Sequence, residues 1–190
     1  GLGCHVEPDV PQMITSDPGR IRQVLLNLIG NAIKFTDSGG VMVVVSRVGE
    51  GESGNIRFLI SDTGPGLAEG DRDRIFEEFE QVDGTSTRQH GGAGLGLAIS
   101  KRIVMSMGGT ISVTSEVGRG SEFCFEVPAT DFVNSGMRRG DLLAHRRCLI
   151  VTRNTVEAEA IARTIRAYGG IVETVGSVRQ ACEEAAPCDT

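Results

Sequence analysis

Between Ser16 and Lys34 the sequence leaves little choice of local structure. Asp17 can cap a helix, and Pro18 suits the first helical position, where its missing N–H would have no partner anyway. Ile21, Val24, Leu25, Leu28, Ile29 and Ala32 then recur at helical spacing and give this helix an apolar side to bury. Two β-rich runs follow, Val41 to Val48 and Asn55 to Ser61, and the Gly-containing stretch from Gly49 to Gly54 joins them as an antiparallel hairpin. An amphipathic helix ahead of a hairpin predicts a helix layer packed on a sheet.

The remaining chain extends that plan. Residues 4 to 15 alternate loosely around two prolines and predict a strand and turn at a sheet edge. A helix is expected from Asp71 to Phe79, and the polar, aperiodic stretch from Glu80 to Gly92 is expected to be a mobile loop. It leads into a second long helix buried through Leu95, Leu97, Ala98, Ile99, Ile103, Val104 and Met107, with Gly108-Gly109 as its stop. Strands are expected at Thr110 to Ser115 and Ser121 to Val127, around Gly118-Arg119-Gly120. Residues 1–128 are thus expected to form an α+β domain, with helices on one face of a mixed, mostly antiparallel sheet, and 129–146 a linker. After it come a strand from Cys148 to Thr152, a helix from Val156 to Tyr168, a strand from Ile171 to Val175 and a helix from Ser177 to Ala186. Residues 147–190 therefore read as the truncated opening of a doubly wound α/β domain.

Composition excludes several classes. With 39% hydrophobic and 23% charged residues among 190, the chain is globular rather than disordered. No apolar run approaches the roughly 20 residues of a membrane span, and no signal-peptide pattern opens the chain. A formal charge of −6 argues against a general nucleic-acid binder. The five cysteines lack CxxC spacing, so neither a zinc site nor a disulfide framework is indicated, and a reducing cytoplasm fits best. Attachment of a parent protein to a membrane stays open.

Any anionic ligand must be held locally, so phosphate-cradling templates are the ones to try. No Gly-Lys pair occurs, which excludes a Walker A loop, and Gly92-Ala93-Gly94-Leu95-Gly96-Leu97 lacks the third glycine at dinucleotide spacing. That segment still empties into a helix N-terminus, whose free N–H groups and positive dipole end favour anions. Asn27, Asn31 and Lys34 lie four and three apart on one face of the first helix, a stripe of hard donors suited to Mg²⁺ and phosphate oxygens. Taken singly, two asparagines and a lysine describe a solvated face, Asp62 a turn residue, Phe76 and Phe79 core, and the glycines a flexible link.

In order, however, Asn27-Leu28-Ile29-Gly30-Asn31-Ala32-Ile33-Lys34, Asp62-Thr63-Gly64-Pro65-Gly66, Phe76-Glu77-Glu78-Phe79 and Gly92-Ala93-Gly94-Leu95-Gly96-Leu97 resemble the N, G1, F and G2 boxes of the sensor histidine kinase ATP-binding domain. The stretch from Phe79 to Gly92 and the ending Gly118-Arg119-Gly120-Ser121 are similar to the hybrid type of these kinases. The resemblance covers roughly residues 1 to 128 and implies a Bergerat-type ATP-binding α/β sandwich. It implies ATP and Mg²⁺ as cofactors, Asn31 as the main Mg²⁺ ligand supported by Asn27, and Lys34 on phosphate, these three forming the catalytic set. Asp62 would accept a hydrogen bond from the adenine amino group, with Gly64 and Gly66 admitting the base. Phe76 and Phe79 would anchor a lid in which Arg88 contacts phosphate and His90 is a weaker candidate, while Gly92, Gly94, Leu95, Gly96 and Leu97 would wrap the triphosphate. Ala93 departs from the hydroxyl residue usual in the family. Hydrolases of the same fold, such as type II topoisomerases and chaperone ATPases, place a Glu general base where this chain has Asn27; an amide cannot take a proton from water, so slow hydrolysis is expected.

None of the three histidines has the expected acceptor context: His5 sits in an edge strand, His90 in the lid and His145 in the linker, and all three are expected to be incidental. The acceptor histidine is therefore expected on a separate, upstream dimerisation domain, and a response regulator or phosphotransfer protein downstream. Residues 147–190 resemble more weakly the start of a response-regulator receiver. Thr152-Arg153 stands where a receiver carries an acidic Mg²⁺-binding pair, so a degenerate receiver that docks rather than accepts phosphate is expected. Two alternatives remain: a non-catalytic ATP-sensing or pseudokinase module, and a serine-directed kinase of the same superfamily.

Overall fold

A computed structural model describes residues 1–49, 53–77, 94–133 and 142–184. The first helix, α1 (Pro18–Phe35), starts where the sequence predicts. The Asp17 side chain accepts a hydrogen bond from Arg20 N at 3.0 Å, and Pro18 occupies the first turn. At the far end Thr36 donates its hydroxyl to Ala32 O at 2.7 Å and closes the last turn.

The strands β1 (Leu2–Val6), β2 (Met13–Thr15), β3 (Val41–Val48), β4 (Gly54–Asp62), β5 (Thr110–Glu116) and β6 (Gly120–Val133) form one sheet in the order β1-β3-β4-β6-β2, with β5 also paired to β6. Only β1 and β3 run parallel, so the sheet is mixed and mostly antiparallel, as expected. Its register puts Val43, Ile60, Phe123 and Val113 in one row and Val45, Phe58, Phe125 and Ile111 in the next. These rows face α1 and α2 (Gly96–Ser106), which supply Val24, Leu28, Ala32, Ile103 and Val104 to the same core. Phe58 and Phe125 stack at 4.6 Å between centroids.

Two local expectations are corrected. Glu69–Asp71 and Arg74–Phe76 are separate 3₁₀ turns where a helix from Asp71 to Phe79 was expected. One tight turn is enough to bury Ile75 and set Phe76 edge-on against Phe123, and the segment has no longer apolar stripe to bury. Strand β6 also runs past Pro128 to Val133, because β2 offers a paired edge there, so residues 129–133 of the expected linker are strand.

Further along, β7 (Arg147–Val151), α3 (Thr155–Ala167), β8 (Ile171–Val175) and α4 (Val178–Glu184) follow the predicted alternation, with β7 and β8 parallel. Asn154 caps α3 by accepting from Glu157 N at 3.2 Å. One side of α3 packs Ala158, Ala162 and Ile165 on its own strands. The other side lies on β1: a Cβ at Gly3 would stand 2.9 Å from that of Ala160 and 3.0 Å from Val156 O. His5, expected from the sequence to be incidental, is only 2% exposed in this seam. Its Nδ1 is 3.0 Å from Thr164 Oγ1 and its Nε2 3.3 Å from Glu7 Oε2. No helix among the described residues is long and apolar enough to cross a membrane.

Candidate functional site

Because Val24, Leu28 and Ala32 lock one side of α1 into the core, the stripe of Asn27, Asn31 and Lys34 runs along the border of that side, half-buried rather than fully solvated. The middle and the carboxy end of α1 each touch another predicted box. At Asn27, Nδ2 donates to Ser100 Oγ on α2 at 2.9 Å, and Oδ1 packs against Gly96, where a Cβ would run into it. At the C-terminal end, a Cβ on Gly64 would stand 2.7 Å from Phe35 O. The first helix therefore bridges the start of α2 and the loop after β4. Lys34 Nζ lies 5.0 Å from the centroid of the Phe35 ring.

That loop is built around Asp62. Its Oδ1 accepts from Gly64 N at 2.8 Å and from Ser121 N at 3.3 Å. Burial pushes the carboxyl above its ordinary value of 3.8, while the two backbone N–H groups pull the other way. Among the described residues both backbone donors use Oδ1, which leaves Oδ2 to accept from a further donor. Gly66 takes φ +70, and a Cβ there would meet Glu116 O, so only glycine lets the loop pass this close.

Three residues that the sequence did not single out for the site brace the loop from behind. Ser115, buried, accepts from Leu67 N at 2.7 Å and donates to Gly120 O at 2.9 Å. Ser121 supplies both the N–H to Asp62 and a hydroxyl 3.0 Å from Ser115 Oγ. Gly118 N donates to Pro65 O at 2.7 Å. The string Gly118-Arg119-Gly120-Ser121 was the available signal, since it placed a tight turn beside an unusual density of small polar residues.

The glycine-rich box is visible from Gly94, which takes φ +67 ahead of α2. Leu95 is the N-cap residue and makes no side-chain capping bond, and no acidic residue occupies the first turn of α2. The amino end of α2 therefore keeps its positive character beside Asn27. Leu97 packs on the core and anchors that end. Phe79, Arg88, His90, Gly92 and Ala93 lie outside the described residues. Among the described residues no group of three or more His, Cys, Asp or Glu could hold a metal. Beside the α2 end the side-chain oxygen on offer is the carboxamide oxygen of Asn27, with Asn31 one turn along the same stripe of α1.

The family model for histidine kinase-, DNA gyrase B- and HSP90-like ATPases matches residues 16–131, more than half of the chain. The chain belongs to this family. In this ATPase-family chain the matched region runs from just before the cap of α1 to within two residues of the end of β6, so it contains every described box residue. The signal transduction histidine-protein kinase BarA of Escherichia coli (strain K12) is 42% identical over 127 residues, 66% of this chain and 14% of that protein. The sensor histidine kinase RcsC of the same organism is 37% identical over 174 residues, 92% of this chain and 18% of that protein. Full-length ShkA in complex with AMPPNP is structurally similar at a TM-score of 0.77 and 39% identity, covering 100% of this chain and 38% of that one. The ShkA superposition thus includes the unit from β7 to α4.

Proposed function

We propose that this chain binds Mg²⁺-ATP and donates the γ-phosphoryl group to a histidine on a separate dimerisation domain, as the catalytic part of a hybrid sensor histidine kinase in a two-component system. The observation that carries the reading is the Asp62 carboxylate, half-buried and pinned through one oxygen, in a loop that meets the carboxy end of α1, the helix whose Asn27 reaches α2. Its second oxygen selects an adenine amino group over a carbonyl, which would face it acceptor to acceptor. Gly64 and Gly66 keep the backbone close enough for the base to reach it.

Lys34 and the open amino end of α2 attract the phosphates. Mg²⁺ fits this donor set, since it takes hard oxygens, keeps waters and shares phosphate oxygens rather than needing a cage of carboxylates. Asn31 and the oxygen of Asn27 would hold it, and when bound it neutralises charge on the β- and γ-phosphates. Asn27, an amide, accepts no proton from water, so the γ-phosphoryl group is preserved. An acceptor imidazole nitrogen then bonds the γ-phosphorus as the bond to the bridging oxygen breaks and ADP departs. Residues 147–190 are assigned as a receiver-like unit lacking the acidic pair, with a response regulator or phosphotransfer protein as the onward partner and the cytoplasm as the location.

Calorimetric titration with ATP and GTP, with and without Mg²⁺, tests the nucleotide site. Mg²⁺-dependent binding of ATP and none of GTP is expected; absence of ATP binding in the folded chain overturns the reading. Adding a histidine-bearing hairpin in trans tests the transfer, and the product must be acid-labile.

A further inference from the structure

Ser100 is 2% exposed on the core-facing side of α2, among Ala98, Ile103 and Val104. A hydroxyl there is disfavoured unless it is used, and alanine would fill nearly the same space. Its use is the hydrogen bond from Asn27 Nδ2 at 2.9 Å, which joins side chains 73 residues apart. One turn earlier on the same face of α2, Gly96 removes the Cβ that would otherwise strike Asn27 Oδ1. Two residues of one helix therefore grip opposite ends of a single carboxamide: Ser100 takes the nitrogen, and Gly96 makes room for the oxygen.

Resting on the proposed nucleotide site, we infer that Ser100 is a positioning residue, which turns the Asn27 carboxamide so that its oxygen faces the first turn of α2, where phosphate and a divalent cation are to be held. Without Ser100 the carboxamide can rotate and present its NH₂ group, which cannot ligate a cation. With Ser100 present, the acceptor orientation is set before any ligand arrives.

The test uses the full chain and two readouts. In the ligand-free protein, NMR of the Asn27 side-chain NH₂ group is expected to show slowed exchange in wild type, lost in Ser100→Ala and retained in Ser100→Thr. By calorimetry, Ser100→Ala is expected to weaken the Mg²⁺-dependent gain in ATP affinity by about tenfold, the scale of lost outer-shell support at metal sites. Affinity without Mg²⁺ stays within about twofold, because the Asp62 pocket is untouched. In an Asn27→Ala background, Ser100→Ala adds nothing further. The inference is overturned if the two changes act independently, if Asn27 NH₂ exchange is the same in Ser100→Ala as in wild type, or if Ser100→Ala alters ATP affinity equally with and without Mg²⁺. Failure of the wild type to bind ATP overturns the nucleotide reading instead, and the NMR readout still decides whether Ser100 orients Asn27.

Discussion

Replacing Asp62 with asparagine separates the structural from the recognition role of this side chain. The new carboxamide keeps an oxygen at the Oδ1 position, so the bonds from Gly64 N at 2.8 Å and Ser121 N at 3.3 Å survive and the loop holds its shape. The other atom changes from an acceptor to an NH₂ donor facing the donor amino group of adenine. A hydrogen bond to a charged acceptor is lost, and a half-buried donor is left opposed to another donor. Together these cost about 3 kcal/mol, or roughly a 100-fold weaker Kd for ATP. Inosine triphosphate, which carries a carbonyl where adenine has the amino group, should reverse the order and bind the variant better than the wild type.

Stability should move the other way. Burial, the larger cause, raises the Asp62 carboxyl above 3.8, so the folded protein holds this proton more tightly than the unfolded chain does. The charged form therefore subtracts from stability at neutral pH, and this cost disappears as pH falls through the raised value toward 3.8. Asp62→Asn is expected to unfold in urea no earlier than wild type at pH 7, with any advantage shrinking in acid. ATP affinity of the variant within threefold of wild type, measured by calorimetry on a sample with unchanged circular dichroism, would refute the recognition argument. A large loss of stability at pH 7 would refute the claim that, of the two Asp62 oxygens, the loop uses Oδ1.

Two further perturbations follow from close approaches. Gly120 takes φ +104 with the position of its Cβ against Asp62 O, so Gly120→Ala should destabilise the domain by about 2 kcal/mol in urea unfolding and weaken ATP binding along with it. Gly3 leaves room for α3, with Ala160 Cβ at 2.9 Å from where its own would stand. Gly3→Leu should force α3 off β1, seen as faster amide hydrogen exchange in Thr155–Ala167 and at His5 while exchange in β4 is unchanged; unchanged exchange in α3 would contradict the contact.

The elements that announced themselves in the sequence are those whose instructions are local. Asp17-Pro18 and the spacing from Ile21 to Ala32 specify α1 within 18 residues, and the two valine-rich runs specify their hairpin. The β6 extension was hidden because its cause is the distant edge of β2, Met13 opposite Val133. His5 was hidden for the same reason, since Thr164 lies 159 residues away. Of the site, the boxes were legible because each is a short local string, the polar residues at helical spacing from Asn27 to Lys34, the glycines after Asp62 and the glycine run into α2, and the strings follow one another in a set order. Ser100 and Ser115 were not, because a single serine in a helix or strand carries no signal until its partner, 73 or 48 residues distant, is folded against it.

The division explains how the site is aimed. Residues that would touch a ligand, Asn27, Asn31, Lys34 and Asp62, come from segments readable in isolation, but none of these segments fixes its own orientation. Rotation of α1 is set by Val24, Leu28 and Ala32 in the core, each 2% exposed or less. The bearing of the Asp62 loop is set by Ser115, Gly120 and Ser121 across the β5–β6 turn, and the carboxamide of Asn27 by Gly96 and Ser100. A chain with the four boxes intact and these supports replaced would keep the motif and lose the geometry. The supports are therefore where members of this fold sharing the same boxes can diverge in nucleotide affinity and metal dependence.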